Sequence, residues 1–133
     1  MNNPIVCLLI DDDTEDQEIF MMALKNLDHD VKCIMEKNAI NALNSLKSGL
    51  VSPDFIFVDL NLPLMNGKEF IVEMRKLVDF DAVQLVAYSS SSHEKHNSLR
   101  LGATHFFSKP TTIPLLEEAL NGIFNEYSPD HRG

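Results

Sequence analysis

The chain has 133 residues, which is enough for one compact domain with a hydrophobic core. Its formal net charge of −9 argues against a nucleic-acid partner and suits a bound cation or a basic docking surface. No apolar run approaches the roughly 20 residues that span a membrane, and the first residues lack a signal-peptide pattern, so we expect a cytoplasmic protein with no membrane contact.

Five short apolar runs predict β-strands, and each is followed by polar residues and a longer segment of helical period. The runs are Ile5–Ile10, Val31–Met35, Phe55–Val58, Gln84–Tyr88 and His105–Phe107. The first and third are nearly continuous in apolar residues, which is typical of strands buried on both faces of a parallel sheet. Cys7 and Cys33 fall inside the first two runs, which favours buried thiols over a disulfide.

Five segments with helical period lie between and after these runs, and capping residues mark their ends. The marks are Asp13 or Thr14 before the first helix, Asn38 and Gly49 around the second, Asn66-Gly67 before the third, Gly102 after the fourth, and Thr111 or Thr112 before the fifth. The fourth segment, from about Ser92 to Leu101, is short and polar. Residues 128–133 are expected to form a frayed tail.

Alternation of strand and helix five times over predicts an α/β fold, a doubly wound five-stranded parallel sheet flanked by five helices. No linker or low-complexity run interrupts the pattern. We therefore interpret residues 1–133 as a single domain, with a core of about 4–127 and the tail beyond it.

Polar residues follow four of the five predicted strands. Asp11–Asp13 follow the first, Asp59 the third, Ser89–Ser92 the fourth and Lys109 the fifth. The carboxyl ends of parallel strands collect ligands at one edge of the sheet, so these side chains are expected to converge. Carboxylates close together in a partly dry pocket repel each other and stay ionised only with a cation among them. Oxygen ligands with room for water favour Mg²⁺.

These residue types suit phosphoryl transfer. A carboxylate can attack phosphorus to give an acyl phosphate, and Mg²⁺, Lys109 and a serine hydroxyl would neutralise the phosphoryl oxygens. No His or Cys base is expected beside the carboxylates, so acyl transfer fits poorly. Taken singly, Asp11–Asp13 also suit a solvated turn with a helix cap, and the serine run also suits a plain loop. Their joint position after four separate strands favours the site.

Four sets of residues stand in order from about Pro4 to Tyr127. They are Leu8-Leu9-Ile10-Asp11-Asp12-Asp13; Phe57-Val58-Asp59-Leu60-Asn61-Leu62-Pro63 with Asn66-Gly67; the serine after the fourth strand; and Gly102-Ala103 followed by Phe106-Phe107-Ser108-Lys109-Pro110. Together they resemble the receiver domains of response regulators, including the stand-alone chemotaxis type. The resemblance implies a flavodoxin-like fold with strand order 2-1-3-4-5.

The resemblance also implies roles at the acidic end of the site. Asp59 would be the phosphoacceptor and a metal ligand. Asp12 would bind Mg²⁺ directly and Asp11 partly through water, while Asn61 would offer its backbone carbonyl to the metal. Asp13 is a third acid whose role stays open between tuning the metal, capping the helix and having no role.

The resemblance also implies roles for residues in and after the fourth and fifth strands. Ser89 would be the hydroxyl that moves to grip the phosphoryl group, with Ser90 as the alternative. Lys109 would pair with the phosphoryl oxygens, and the peptide bond between Lys109 and Pro110 is often cis in the family. Phe106 would hold the aromatic switch position, where Tyr is commoner. The stretch from Ser89 to Gly102 is shorter than is common, which predicts a short or irregular fourth helix.

The resemblance implies two-component signal transduction. A sensor histidine kinase would phosphorylate Asp59, and the conformational change would reach a downstream protein or a phosphotransfer domain of a phosphorelay through the face of the fourth helix, fifth strand and fifth helix. We expect no output domain and no enzyme activity beyond self-catalysed phosphotransfer and autodephosphorylation, and leave a homodimer open. Alternatives are a haloacid-dehalogenase-type phosphatase, in which Asn61 would have to be Asp, and a receiver that works without phosphorylation.

Overall fold

Five parallel strands make the centre of the computed structural model, which describes residues 4–77, 80 and 82–127. The strands are β1 (Ile5–Ile10), β2 (Val31–Glu36), β3 (Phe55–Asp59), β4 (Gln84–Ser89) and β5 (His105–Ser108). They pair in the order β2-β1-β3-β4-β5, which confirms the predicted sheet. Four strands run one residue past the predicted apolar run, because the parallel ladder continues into the polar residues, as in the Asp59 and Tyr88 pairing.

Five helices connect or follow the strands, and most begin where the capping residues predict. They are α1 (Thr14–Lys25), α2 (Ala39–Lys47), α3 (Gly67–Arg75), α4 (Lys95–Leu101) and α5 (Ile113–Glu126). The side chains of Asp13, Asn38, Asn66 and Thr112 accept hydrogen bonds from backbone N–H groups of the first turns. No helix in the described ranges has both the length and the apolar character needed to cross a membrane. The expected tail, 128–133, lies outside the described residues.

The fourth helix is irregular, as its composition predicts. A 3-10 turn at Ser92–Glu94 precedes the seven residues of α4. No side chain caps either segment, and Gly102 ends α4 with a φ of +130°. The uncapped and largely polar sequence therefore supports only two turns of α-helix.

The sheet is buried on both faces. Leu8 and Ile10 of β1 point toward α2 and α3, whereas Cys7 and Leu9 point toward α1 and α5, since side chains alternate along a strand. All four are fully buried. Cys7 lies opposite Cys33 in the β1–β2 ladder, and both are free thiols.

Helix α3 begins directly against the end of β3. A Cβ added at Gly67 would lie 2.6 Å from the Asp59 carbonyl oxygen and 2.6 Å from the Leu60 Cα. Only glycine allows this approach, because backbone atoms cannot move aside as a side chain can. The contact sets the position of the loop that follows Asp59.

Candidate functional site

Four charged side chains from different elements meet at the carboxyl edge of the sheet. Asp11 follows β1, Asp16 lies in the first turn of α1, Asp59 ends β3 and Lys109 follows β5. Carboxylate oxygens of the three aspartates lie within 4.8 Å of one another. The Lys109 ammonium donates to Asp59 Oδ2 at 2.8 Å and to Asp16 Oδ2 at 2.9 Å, and lies 3.8 Å from Asp11 Oδ2.

The sheet itself carries these backbones to one place. The Asp11 N–H donates to the Glu36 carbonyl at the end of β2, and the Lys109 N–H donates to the Ser89 carbonyl at the end of β4. Both bonds continue the parallel pairing by one step beyond β1 and β5. The backbones of Asp11 and Lys109 are therefore fixed by the sheet, independently of the contacts that their side chains make.

Asp59 is buried and its two carboxylate oxygens have different partners. Oδ1 accepts a hydrogen bond from the Asn61 backbone N–H at 2.9 Å, while Oδ2 accepts from Lys109. Two donors on opposite oxygens orient the carboxylate. A carboxylate held in this way is suited to act as a nucleophile or a metal ligand.

Asp11 is the most deeply buried carboxylate of the site. Its Oδ1 accepts from the Asp13 backbone N–H at 2.9 Å, and its Oδ2 accepts from the Tyr88 hydroxyl at 2.6 Å. Burial raises the pKa of Asp11 above its usual value, and the hydrogen bonds from Tyr88 and Asp13 offset only part of that rise. Gln17, which lies in α1, donates a hydrogen bond from its side-chain amide to the Asp11 backbone carbonyl at 2.6 Å.

Among the residues that the structure describes, Lys109 provides the positive charge in contact with this cluster. Burial alone would lower the pKa of its ammonium, but the hydrogen bonds to Asp59 and Asp16 outweigh burial, and the pKa is raised. Its Nζ also lies 5.3 Å from the centre of the Tyr88 ring, within cation–π range. When all three carboxylates are ionised, one ammonium leaves two negative charges uncompensated, which favours a divalent cation.

The acidic cluster differs from the predicted ligand set in one residue. Asp12 is exposed and lies outside the three-carboxylate cluster. Asp16 takes its place in that cluster. Asp13 caps α1, accepting from Glu15 and Asp16, so helical geometry turns Asp16 back toward the sheet edge. Sequence reasoning missed Asp16, although its place at the third helical position after a capping aspartate was a usable signal.

Asn61 lies at the rim beside Asp59. Its side chain is exposed, and it lines a cleft of about 470 Å³ together with Ser89, Ser91 and Lys68. Lys68 forms an ion pair with Glu94 across this cleft at 2.9 Å.

Ser89 is fully buried at the end of β4, and its hydroxyl accepts from the Ser91 backbone N–H at 3.1 Å. Ser90 is exposed. The role of either hydroxyl stays a prediction, but the ladder places Ser89 in register with Ser108, one residue before Lys109.

Phe106 and Phe107 point to opposite faces of β5. Phe106 is half-buried and packs on the core cluster shared with α2 and α3, while Phe107 stacks on Tyr88. A cleft of about 850 Å³ that includes Phe106 crosses α4, β5 and α5. The Lys109–Pro110 peptide bond, which the resemblance gives as often cis, is trans in this structure.

The donor set fits a hard divalent cation. All three clustered ligands are carboxylates, and no soft sulfur or imidazole ligand joins them among the described residues. Such oxygen ligands suit Mg²⁺, Mn²⁺ or Ca²⁺.

Comparison with known proteins identifies a family that covers most of this chain. The family model described as the response regulator receiver domain matches residues 7–121. The sensor histidine kinase CheAY of Helicobacter pylori is 32% identical over 107 residues, which are 79% of this chain but 13% of that protein. The response regulator Rcp1 of Synechocystis sp. is 26% identical over 129 residues, 92% of this chain and 88% of Rcp1.

A solved structure supports the fold. The crystal structure of the Mn²⁺-bound form of Rcp1 matches with a TM-score of 0.84 at 20% sequence identity, covering 94% of this chain and 98% of that one. The strand order described above is therefore that of a known fold.

Proposed function

This chain belongs to the response regulator receiver domain family of two-component signalling, and we propose that it accepts a phosphoryl group on Asp59 from a sensor histidine kinase. The observation that carries the proposal is the buried Asp59 carboxylate, held on one oxygen by the Asn61 N–H and on the other by Lys109. This arrangement supports a nucleophile that is already oriented.

The proposed step is transfer of a phosphoryl group from a phosphohistidine of the donor to Asp59. An Asp59 oxygen attacks the phosphorus of a phosphohistidine, an O–P bond forms, the N–P bond breaks, and its electron pair stays on the departing imidazole. Lys109 neutralises a phosphoryl oxygen without losing its proton, since its pKa is raised.

We propose Mg²⁺ as the resident cation. Asp11 and Asp59 would hold it together with the residues that the resemblance implies, Asp12 and the Asn61 carbonyl, and Asp16 lies close enough to add charge. When bound, the cation would neutralise charge on the phosphoryl oxygens. The three clustered carboxylates support this assignment, because they repel one another without it.

The output would follow from a local rearrangement. Ser89 and Phe106 would move, and the cleft across α4, β5 and α5 would change its affinity for a downstream protein, a phosphotransfer domain or a second copy of the chain. We propose no turnover of external substrates beyond self-catalysed phosphotransfer and autodephosphorylation, and a cytoplasmic location.

Phosphorylation is tested by intact mass after incubation with acetyl phosphate and Mg²⁺. We expect a gain of one phosphoryl group in the wild-type chain and none in Asp59→Asn, which keeps the shape but loses the nucleophile. Unlabelled wild-type protein would reject the function in favour of a receiver that works without phosphorylation. Undiminished labelling of Asp59→Asn would place the acceptor elsewhere.

Asp12 is tested separately, because the structure leaves it at the exposed rim. Asp12→Ala should weaken Mg²⁺ binding by at least about tenfold if it is a direct ligand. The measurement is a calorimetric Mg²⁺ titration, with Asp28→Ala as the control that removes one exposed carboxylate far from the cluster. Equal affinities in the two variants would remove Asp12 from the ligand set.

A further inference from the structure

Lys109 is shared between two carboxylates on different elements. Its ammonium donates to Asp59 at 2.8 Å and to Asp16 at 2.9 Å, so Asp16 takes as close a hydrogen bond as Asp59. None of the roles implied by the resemblance includes Asp16. Its interaction with Lys109 therefore needs its own explanation.

The position of Asp16 is set locally and tightly. The Asp13 side chain caps α1 by accepting from the backbone N–H groups of Glu15 and Asp16. Asp16 is half-buried, with about a third of its side chain exposed, and Lys109 is one quarter exposed. Both ends of the ion pair are held by backbone structure, which lowers the entropy lost in keeping it.

An ammonium has three protons, and here two are directed to carboxylates. A phosphoryl group on Asp59 would bring up to two negative charges and three acceptor oxygens. One ammonium proton remains, so any further bond from Lys109 to the phosphoryl oxygens would have to replace its bond to Asp16 or to Asp59. The Asp16 carboxylate therefore competes with the phosphorylated or anion-bound form of the site.

We propose that Asp16 is a positioning residue that competes for Lys109 and so limits the affinity of the site for a phosphoryl group. The inference rests on the proposed function, since it concerns the same Asp59. We assign this effect of Asp16 to its hydrogen bond with Lys109; the charge that Asp16 adds near the metal is a separate effect, which the Mg²⁺ titration below measures. The Lys109–Asp16 bond lowers the free energy of the unphosphorylated state, and phosphorylation of Asp59 would weaken or break it.

The test uses beryllium fluoride as a phosphoryl mimic on the full chain, with Mg²⁺ held at saturation for each variant after a separate Mg²⁺ titration. Asp16→Asn keeps the shape of the side chain and removes its charge. We expect its affinity for beryllium fluoride to rise about two- to fivefold, the range for a partly exposed ion pair. A destabilised fold cannot produce this gain, because unfolding only lowers affinity.

Two controls separate charge from position. Glu18→Gln removes the same charge from an exposed position on the same helix and should leave the affinity unchanged. Asp16→Glu retains the carboxylate and should bring the affinity back toward the wild-type value. A gain in Glu18→Gln equal to that in Asp16→Asn would overturn the proposal, because general electrostatics would then explain it.

A double-mutant cycle decides whether the effect passes through Lys109. In a Lys109→Ala background, Asp16→Asn should bring no gain. An unchanged or lower affinity in Asp16→Asn alone, or a gain that persists without Lys109, would overturn the proposal. Wild-type protein that binds no beryllium fluoride and is not labelled by acetyl phosphate would reject the proposed function itself, whereas labelled wild-type protein with no gain in Asp16→Asn would reject this inference alone.

Discussion

Tyr88 is the residue at which burial and charge are most closely combined. Its hydroxyl donates to Asp11 at 2.6 Å, its ring stacks on Phe107, and Lys109 lies over the ring. Burial and the nearby Asp11 carboxylate raise the pKa of Tyr88 well above its usual value, so it remains a donor at neutral pH. A hydrogen bond to a buried carboxylate is strong, because the alternative is a charged oxygen without a partner.

Tyr88→Phe should lower the free energy of unfolding by about 1–3 kcal/mol in the absence of metal, because it removes the donor from a buried carboxylate. Urea unfolding measures the loss. The control is the double variant Tyr88→Phe with Asp11→Asn, in which the charge is also gone. The second change should cost less in the Tyr88→Phe background than in the wild type. Fully additive losses would show that the two side chains are not coupled.

At the scale of elements, the junction of β3 and α3 controls the site. Asp59 ends β3, and Gly67 begins α3 in contact with the Asp59 and Leu60 backbone. The Asn66 and Glu69 capping box fixes the direction in which the helix leaves. A shift of this helix start would move the loop that carries Asn61 and the donor on Asp59 Oδ1.

Gly67→Ala should destabilise the chain by about 1–3 kcal/mol and slow the labelling of Asp59 by acetyl phosphate, because its Cβ would overlap backbone atoms. Gly122→Ala is the matched control. It lies within α5 with no atom within 4 Å of an added Cβ, so it should stabilise the chain by roughly 0.5–1 kcal/mol. Urea unfolding and labelling rates measure both. An unchanged unfolding free energy and labelling rate in Gly67→Ala would contradict the prediction, because the β3–α3 junction would then accommodate the added Cβ.

At the scale of the molecule, burial away from the charged site keeps the two cysteine thiols in their neutral form. Cys7 is buried between β1 and the helices on its face, and burial raises the pKa of its thiol. Burial also raises the pKa of Cys33 from 9.0 to about 12. Both thiols and Tyr88 are therefore protonated in the folded chain at pH values where they would ionise in the unfolded chain.

The unfolding free energy should consequently fall as pH rises above about 9. Below that pH the thiols are protonated in both states and contribute no dependence. Above it the unfolded chain loses protons that the folded chain keeps until about pH 12 at Cys33, so alkali favours unfolding. Urea titrations under reducing conditions between about pH 8 and 11 measure the fall. Cys33→Ser should make it shallower, and an identical slope in that variant would contradict the assignment.

Local patterns were enough for much of this protein. Apolar runs placed the five strands to within one residue at their ends, and capping residues such as Asn66 placed the helix starts except that of α4, because both depend on neighbours in sequence. The same reasoning placed Asp59 and Lys109 at one edge, because the carboxyl ends of parallel strands must share it.

The tertiary structure alone decided which side chains meet there. Asp16 joins the cluster while Asp12 stays exposed, because the Asp13 cap sets the direction of α1 and hence of every side chain in its first turn. The Tyr88 hydroxyl reaches Asp11 across 77 positions of sequence, through a ladder that no local pattern encodes. Contacts of this kind depend on side-chain direction between distant elements, which only the folded sheet determines.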